Sequence, residues 1–418
     1  LLLKHQLRDR QLPNKTKSMK LHSISSISLV LTAVSLVGLT TSLPATAATF
    51  YTVLDLGTFT ADPRNSSSAT GINDLGQVIG ISDSYDLVYV PGTYNGSEVF
   101  RTAPNSAIAE ATDKIDVVTG IRPTSAKDIN NLGQVVGDTL SSSGRTSISY
   151  VSEPNGALNI ISSFQASAIN DSSQITGQGA TILDPLGLRS SHAVRLDSND
   201  SNMFIDLGTF GGSSSAGNGI NNLGQVVGSS TTSSGENHAF RTAANSTINS
   251  ATDDLGTLGG SSSTALDIND LGQVVGSSTT SNGETHAFLT DANSAIEAAD
   301  DLGTLGGSFS VAYSINESGL VVGDSELVDG SNRAFVYDGT DLFDLNTLIP
   351  ENSGFVLTSA RGINESGQIA ATGFFEDTQT TRAFLLTPVP EPTTMLGILA
   401  FSASAGLLRK KNKQKLKP

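Results

Sequence analysis

The chain has 418 residues, with 24 Lys and Arg against 40 Asp and Glu, for a formal net charge of −16. Residues 48–388 hold 12 of the basic and 38 of the acidic side chains, and a body of net −26 repels phosphate backbones, which excludes nucleic acid as a partner. The absence of cysteine excludes a disulfide scaffold, a thiolate metal site and a cysteine nucleophile, and the absence of tryptophan, with 6% aromatics, argues against a deep aromatic cleft.

Residues 1–47 read as an address. Met19 is taken as the start, with residues 1–18 as an upstream extension; Lys20 follows, then a largely apolar stretch over 24–43. Ala45-Thr46-Ala47 is a small-x-small site, so signal cleavage is expected before Ala48, and Ala45, Ala47 and Ala48 define it.

From Ala48 to Pro388 the chain repeats itself. The phrase Ile-Asn-x-x-x-Gln-Val-Val-Gly begins at Ile72 and returns, with variation, at Ile129, Ile169, Ile220, Ile268, Ile315 and Ile363. Spacings of 57, 40, 51, 48, 47 and 48 residues indicate a propeller, an array or a solenoid. In one clean unit, strands are expected over 264–268, 273–277, 285–289 and 301–304, with an Asn-Asp-Leu-Gly turn between the first two and some helical character over 293–299. Four strands in about 48 residues is the size of a propeller blade.

The ends of the repeat region are complementary. Residues 51–57 form a fourth-strand phrase with no unit before it, and residues 381–386 a third-strand phrase with no fourth after it. An all-β, seven-bladed β-propeller of four-stranded blades follows, its N-terminal strand completing the last blade and removing the exposed sheet edges.

Residues 389–418 open with Val389-Pro390-Glu391-Pro392, continue as an apolar stretch over 393–408, and finish in a basic cluster from Arg409. Sixteen helical residues reach about 24 Å, slightly short of a ~30 Å hydrocarbon core, and the basic block would stop transfer. The order Pro390-Glu391-Pro392, apolar helix, basic cluster resembles the PEP-CTERM sorting signal of exported proteins. The resemblance implies an exosortase-type membrane protease as partner, transient anchoring by 393–408, cleavage near Pro390–Pro392, and a cell-surface or extracellular location.

Candidate chemistry is sparse. His192, His238 and His286 recur at one position in three consecutive units, but one histidine per blade does not converge on a metal, and Arg333 and Arg382 fill the same slot. The Asn-Asp-Leu-Gly phrases offer at most one acid each, too few for calcium; residues 197–202 are a weak calcium candidate without a glycine or a distal Glu. Gly-Gly-Ser-Ser-Ser at Gly211 and Gly259 has no following lysine and is no phosphate loop. No catalytic residue, metal ligand or cofactor is assigned.

Asn237-His238-Ala239-Phe240 and Thr285-His286-Ala287-Phe288, with Asp-Leu-Gly-Thr-x-Gly-Gly at Asp206, Asp254 and Asp301, resemble the HAF-repeat family of extracellular proteins, a family with no established chemistry. The expectation is an exported, non-enzymatic surface or matrix module that contacts exopolysaccharide or envelope proteins. The alternatives are a glycan-processing enzyme with carboxylates at the channel mouth, and a passive coat protein.

Overall fold

The computed structural model describes residues 49–390, except 61, 63, 84–96, 116–122, 141–146, 155, 162–163, 184–188 and 198–203. The expected signal site at Ala45, Ala47 and Ala48, residues Glu391 and Pro392, and the apolar stretch 393–408 therefore lie outside the described residues. Among the described residues no helix is long and apolar enough to cross a membrane.

The described chain is all-β: its only helices are Glu110–Asp113 and the single 3-10 turns Ala298–Asp300 and Leu345–Thr347. Composition and turns explain why. The second strand of a unit, Val274–Thr280, is made wholly of small and β-branched residues, the third, Thr285–Leu289, buries Ala287 and Phe288, and both end in polar turns. They pair antiparallel from Val275↔Leu289 to Thr279↔Thr285, and the fourth strand, Asp301–Gly303, lies outside the third. The first strand runs Gly259–Ile268 rather than starting at 264. Its extra length contacts the preceding unit through the parallel bridge Asn237↔Ser262, while the Ser262 amide donates to Thr279 Oγ1 of its own second strand. The helical character expected over 293–299 shrinks to Ala298–Asp300, capped reciprocally by Glu297 and Asp300.

Two less regular units keep the same third strand. Glu98–Arg101 and Ser147–Ser152 are third strands, with Phe100 and Tyr150 wholly buried where other units place the Phe of His-Ala-Phe.

At four junctions a serine clasps one unit to the next. Ser263 Oγ, on the first strand of one unit, accepts the Ala239 amide of the unit before and donates to that unit's Gly256 carbonyl. Ser215 and Ser310 repeat this with Ala193 and Gly208, and with Ala287 and Gly303. The Gly-Gly-Ser-Ser-Ser phrase is thus an inter-unit fastening. The chain ends use the same device. Strand Tyr51–Gly57 pairs antiparallel with Thr381–Pro388, from Tyr51↔Pro388 to Gly57↔Ala383. Ser67 Oγ then accepts the Ala383 amide at 3.0 Å and donates to the Gly57 carbonyl at 2.6 Å. Tyr51–Gly57 therefore occupies the fourth-strand place beside a third strand 330 residues later in the chain.

The core lies between neighbouring sheets. Val227, Ala239 and Leu255 of one unit pack on Ala265, Val274 and Phe288 of the next. At the chain ends Leu56, Ala383 and Leu385 pack on Ala69, Val78 and Phe100. Within a sheet, Gly228, Gly276 and Gly323 face Phe240, Phe288 and Phe335 across the second and third strands. A methyl group on Gly228 would lie 1.9 Å from the Ala216 carbonyl and 3.0 Å from the Phe240 ring. The glycine is required by close approach, not by turn geometry.

Candidate functional site

The seven Ile-Asn turns converge on one polar cavity of about 180 Å³. Each is held by its asparagine. Asn73 Oδ1 accepts the Gln77 amide at 3.0 Å, and Nδ2 donates to Gln77 Oε1 at 2.9 Å and to the Asn130 carbonyl of the next unit at 3.0 Å. The inter-unit bond recurs from Asn130 to Asn170, then through Asn221, Asn269 and Asn316 to Asn364, which returns to the Asn73 carbonyl at 3.0 Å. All seven asparagines are at most 4% exposed. Only a short side chain with both a donor and an acceptor can do this: Asp lacks the donor and Ser the second functional atom.

A second cycle lies one residue further along the turn. The Asp74 amide donates to Asn131 Oδ1, the Asn131 amide to Asp171 Oδ1, and the Asp171 amide to Asn222 Oδ1. The Asn222, Asp270, Glu317 and Glu365 amides continue it through Asp270, Glu317 and Glu365 back to Asp74 Oδ1, at 2.7–3.0 Å. The position needs a side-chain oxygen and not a particular residue, so Asp, Asn and Glu all serve. Asn131 Nδ2 also donates to Asp74 and Asp171, and Asn222 Nδ2 to Asp171, which places neutral amides between acids on that side. Asp270, Glu317, Glu365 and Asp74 follow one another with no such spacer. Burial raises the Glu365 carboxyl, and the nearby Asp74, Glu317 and Asp270 charges raise it further.

Two carboxylates are singular. The residue before each Ile of the phrase is Gly71, Ala168, Gly219, Ser314 or Gly362, but Asp128 and Asp267 in the second and fifth units. Both line the cavity. Asp128 Oδ2 accepts the Ile169 amide at 2.8 Å, and Asp267 Oδ2 the Ile315 amide at 3.0 Å, each in the next unit. Burial pushes Asp128 up to about 6 and also raises Asp267, whose charge adds to the rise at Asp128. Asp128 nevertheless keeps some solvent contact along the cavity, which tempers the energetic effect.

A carboxyl raised above its unfolded value of about 4 contributes stability at low pH that is lost as pH climbs through about 6. Serine already fills this place at Ser314, whose Oγ accepts the Ile363 amide at 3.4 Å. Asp128→Ser is therefore expected to raise stability by about 1–2 kcal/mol at pH 7.5, with less effect at pH 4.5. Thermal denaturation at the two pH values checks this; an equal change at both would refute it.

The histidines lie elsewhere. His192, His238 and His286 each donate from Nδ1 to the Asp of their own unit's Asp-Leu-Gly: Asp206 at 2.9 Å, Asp254 at 2.9 Å and Asp301 at 2.8 Å. Each Asp also accepts the Gly amide two residues on. Arg333 lies 3.9 Å from Asp344 in the same slot. Among the described residues no group of three or more His, Cys, Asp or Glu is placed to hold a metal ion. Of the weak calcium candidate 197–202, only Asp197 is described, and it pairs with Arg195 and Gln174. Pro390 is described and exposed.

In the sequence the asparagines read as turn formers, and Asp128 and Asp267 carry no assigned role. Recurrence of Asn in all seven phrases while its neighbour varies, and an acid where other units have Gly or Ala, were the available signals.

A family model described as a protein of unknown function (DUF3466) matches residues 243–387. No curated protein matches. Among solved structures, the chain is similar to Trypanosoma rangeli sialidase, at 10% identity and a TM-score of 0.36, over 83% of this chain and 57% of that one. The same sialidase in complex with sialic acid is similar at 10% identity and 0.36, over 80% and 55%. Prolyl oligopeptidase B from Galerina marginata is similar at 12% identity and 0.31, over 76% and 44%. The chain spans about half the length of these structures.

Proposed function

We propose that the chain is a seven-bladed β-propeller closed by its N-terminal strand, and that it works as an exported, non-enzymatic interaction module at the cell surface or in the extracellular matrix. The two hydrogen-bond cycles and the pairing of Tyr51–Gly57 with Thr381–Pro388 support the blade count and closure. One observation carries the non-enzymatic reading: the carboxylates around the cavity accept backbone amides of neighbouring units. A group spent in this way holds the ring in register, whereas a general acid or base must be free to exchange its proton with a substrate. A rigid acidic body with loops on two broad faces suits repeated weak contacts with exopolysaccharide or envelope proteins. Delivery by an exosortase-type protease, with transient anchoring by 393–408, rests on the resemblance of Pro390-Glu391-Pro392 and the residues after it to a sorting signal.

Protein recovered from the producer's extracellular fraction should start near Ala48 and end near Pro390–Pro392, and should be retained on the native polysaccharide. Loss of retention both with and without Ca²⁺ would overturn the adhesive reading, and a retained basic tail the sorting one.

A second reading, a glycan-processing enzyme, is favoured by the singular acids Asp128 and Asp267, both raised by burial, the first to about 6. Turnover of a glycan that is abolished by Asp128→Ser would install it.

A further inference from the structure

Both ends of the described body emerge on one face. The Asn364–Gly367 turn of the last unit belongs to the two cycles around the cavity, and a methyl group on Gly367 would touch Pro388 at 3.6 Å. Tyr51 pairs with Pro388, and the Val389 amide donates to the Phe50 carbonyl. Residues 49–50 and 389–390 therefore lie beside the ring of turns. A largely apolar cavity of about 250 Å³, lined by Tyr51, Leu320, Phe343 and Pro388 together with Asp338 and Glu365, adjoins this point.

The turns on this face carry exposed leucines. Leu75, Leu132, Leu223 and Leu271 hold one position in four turns and are 52, 54, 53 and 54% exposed. The other three turns have Ser172, Ser318 and Ser366 there. Phe50 and Val389, at 59 and 43% exposed, lie on the same face. The hairpin tips at the opposite strand ends carry Gly235, Gly283 and Val328.

The tether sets the distance. Strand Thr381–Pro388 is followed by only four residues, 389–392, before the apolar stretch 393–408. Four extended residues span about 14 Å at most, less than the width of a domain this size. If the apolar stretch sits in a bilayer, the face from which it leaves is drawn against that bilayer. We propose that this face is a lipid-docking surface: while the chain is held by 393–408, Leu75, Leu132, Leu223 and Leu271 sink into the lipid interface. The inference rests on the anchoring reading above. The carboxylates of Asp74, Asp171, Asp270, Glu317 and Glu365 at the centre of the face make a zwitterionic surface the matching partner, because an anionic one repels them.

The chain has no cysteine, so single labels are unambiguous. Full-length chains carrying Ser318→Cys or Val328→Cys, labelled with an environment-sensitive fluorophore, are reconstituted into phosphatidylcholine vesicles and recovered by flotation. The label at 318 should shift to the blue and be quenched by lipid-borne quenchers, whereas that at 328 should match water. Changing all four leucines to serine, the residue three turns already carry, should return the 318 label to its aqueous spectrum without reducing flotation. Floating chains whose 318 label stays aqueous would overturn the docking surface and leave the anchor intact. Failure to float would overturn the anchoring reading and the docking with it. A blue shift without vesicles that grows with protein concentration would assign the face to a second copy of the chain and overturn lipid docking.

Discussion

Deleting residues 49–57 should lower the melting temperature by at least about 10 °C, and a peptide of residues 49–60 added in trans should restore part of the loss. The deletion exposes the full edge of Thr381–Pro388 and removes Leu56 and Tyr51, which are 0 and 4% exposed. It also strips Ser67 of its Gly57 acceptor, although its bond from Ala383 remains. Leu56→Ala, which keeps the backbone pairing, should by itself cost about 2–5 kcal/mol. Scanning calorimetry reads both variants. A shift of only a degree or two on deletion would mean that the strand decorates the sheet without holding it.

Gly228→Ala should destabilise by about 2–4 kcal/mol, a large effect for a single methyl group. The new carbon would lie 1.9 Å from the Ala216 carbonyl, and backbone on the paired strand cannot swing aside as a side chain can. The last unit supplies the control. There Ala371 takes the place of the glycine opposite Phe384, and the first strand shifts register between Leu357 and Ser359, where the unit of Gly228 shifts between Gly211 and Ser215. Ala371→Gly relieves no clash and should cost only about 1–1.5 kcal/mol, from the lost buried methyl and the freer unfolded backbone. Chemical denaturation of the two variants is the test; equal costs would show that the close approach at Gly228 relaxes freely.

Recurring phrases and the turns within them were legible because they depend on neighbours in sequence. The strand expected over 285–289 is found as Thr285–Leu289, and the third-strand phrase at 381–386 does pair with the fourth-strand phrase at 51–57. Contacts between units were not legible, because their partners lie 40 to 57 residues apart, or 291 at the last step. Asn73 reads as a turn residue whether or not its amide crosses to Asn130, and Ser263 as loop filler whether or not it clasps Gly256. Asp128 and Asp267 were hidden for a different reason. They lie within the strand just before the recurring phrase, where an acid reads as surface until the seven turns are drawn around a cavity.

Tyr51–Gly57 is among the first described segments to leave the ribosome, and its partner Thr381–Pro388 is among the last. The bond from Thr52 to Thr387 spans 335 residues, and bringing chain ends that far apart together costs about 5 kcal/mol of closure entropy. At roughly 5–20 residues per second, synthesis alone keeps the first strand waiting for about 15–70 s. During that wait it is a lone hydrophobic ribbon, and any chaperone or translocation partner that shields it acts on a piece of the final unit. A chain cut short before Thr381 therefore lacks the mate of its own beginning, and its first strand keeps an open edge however well the units between have folded.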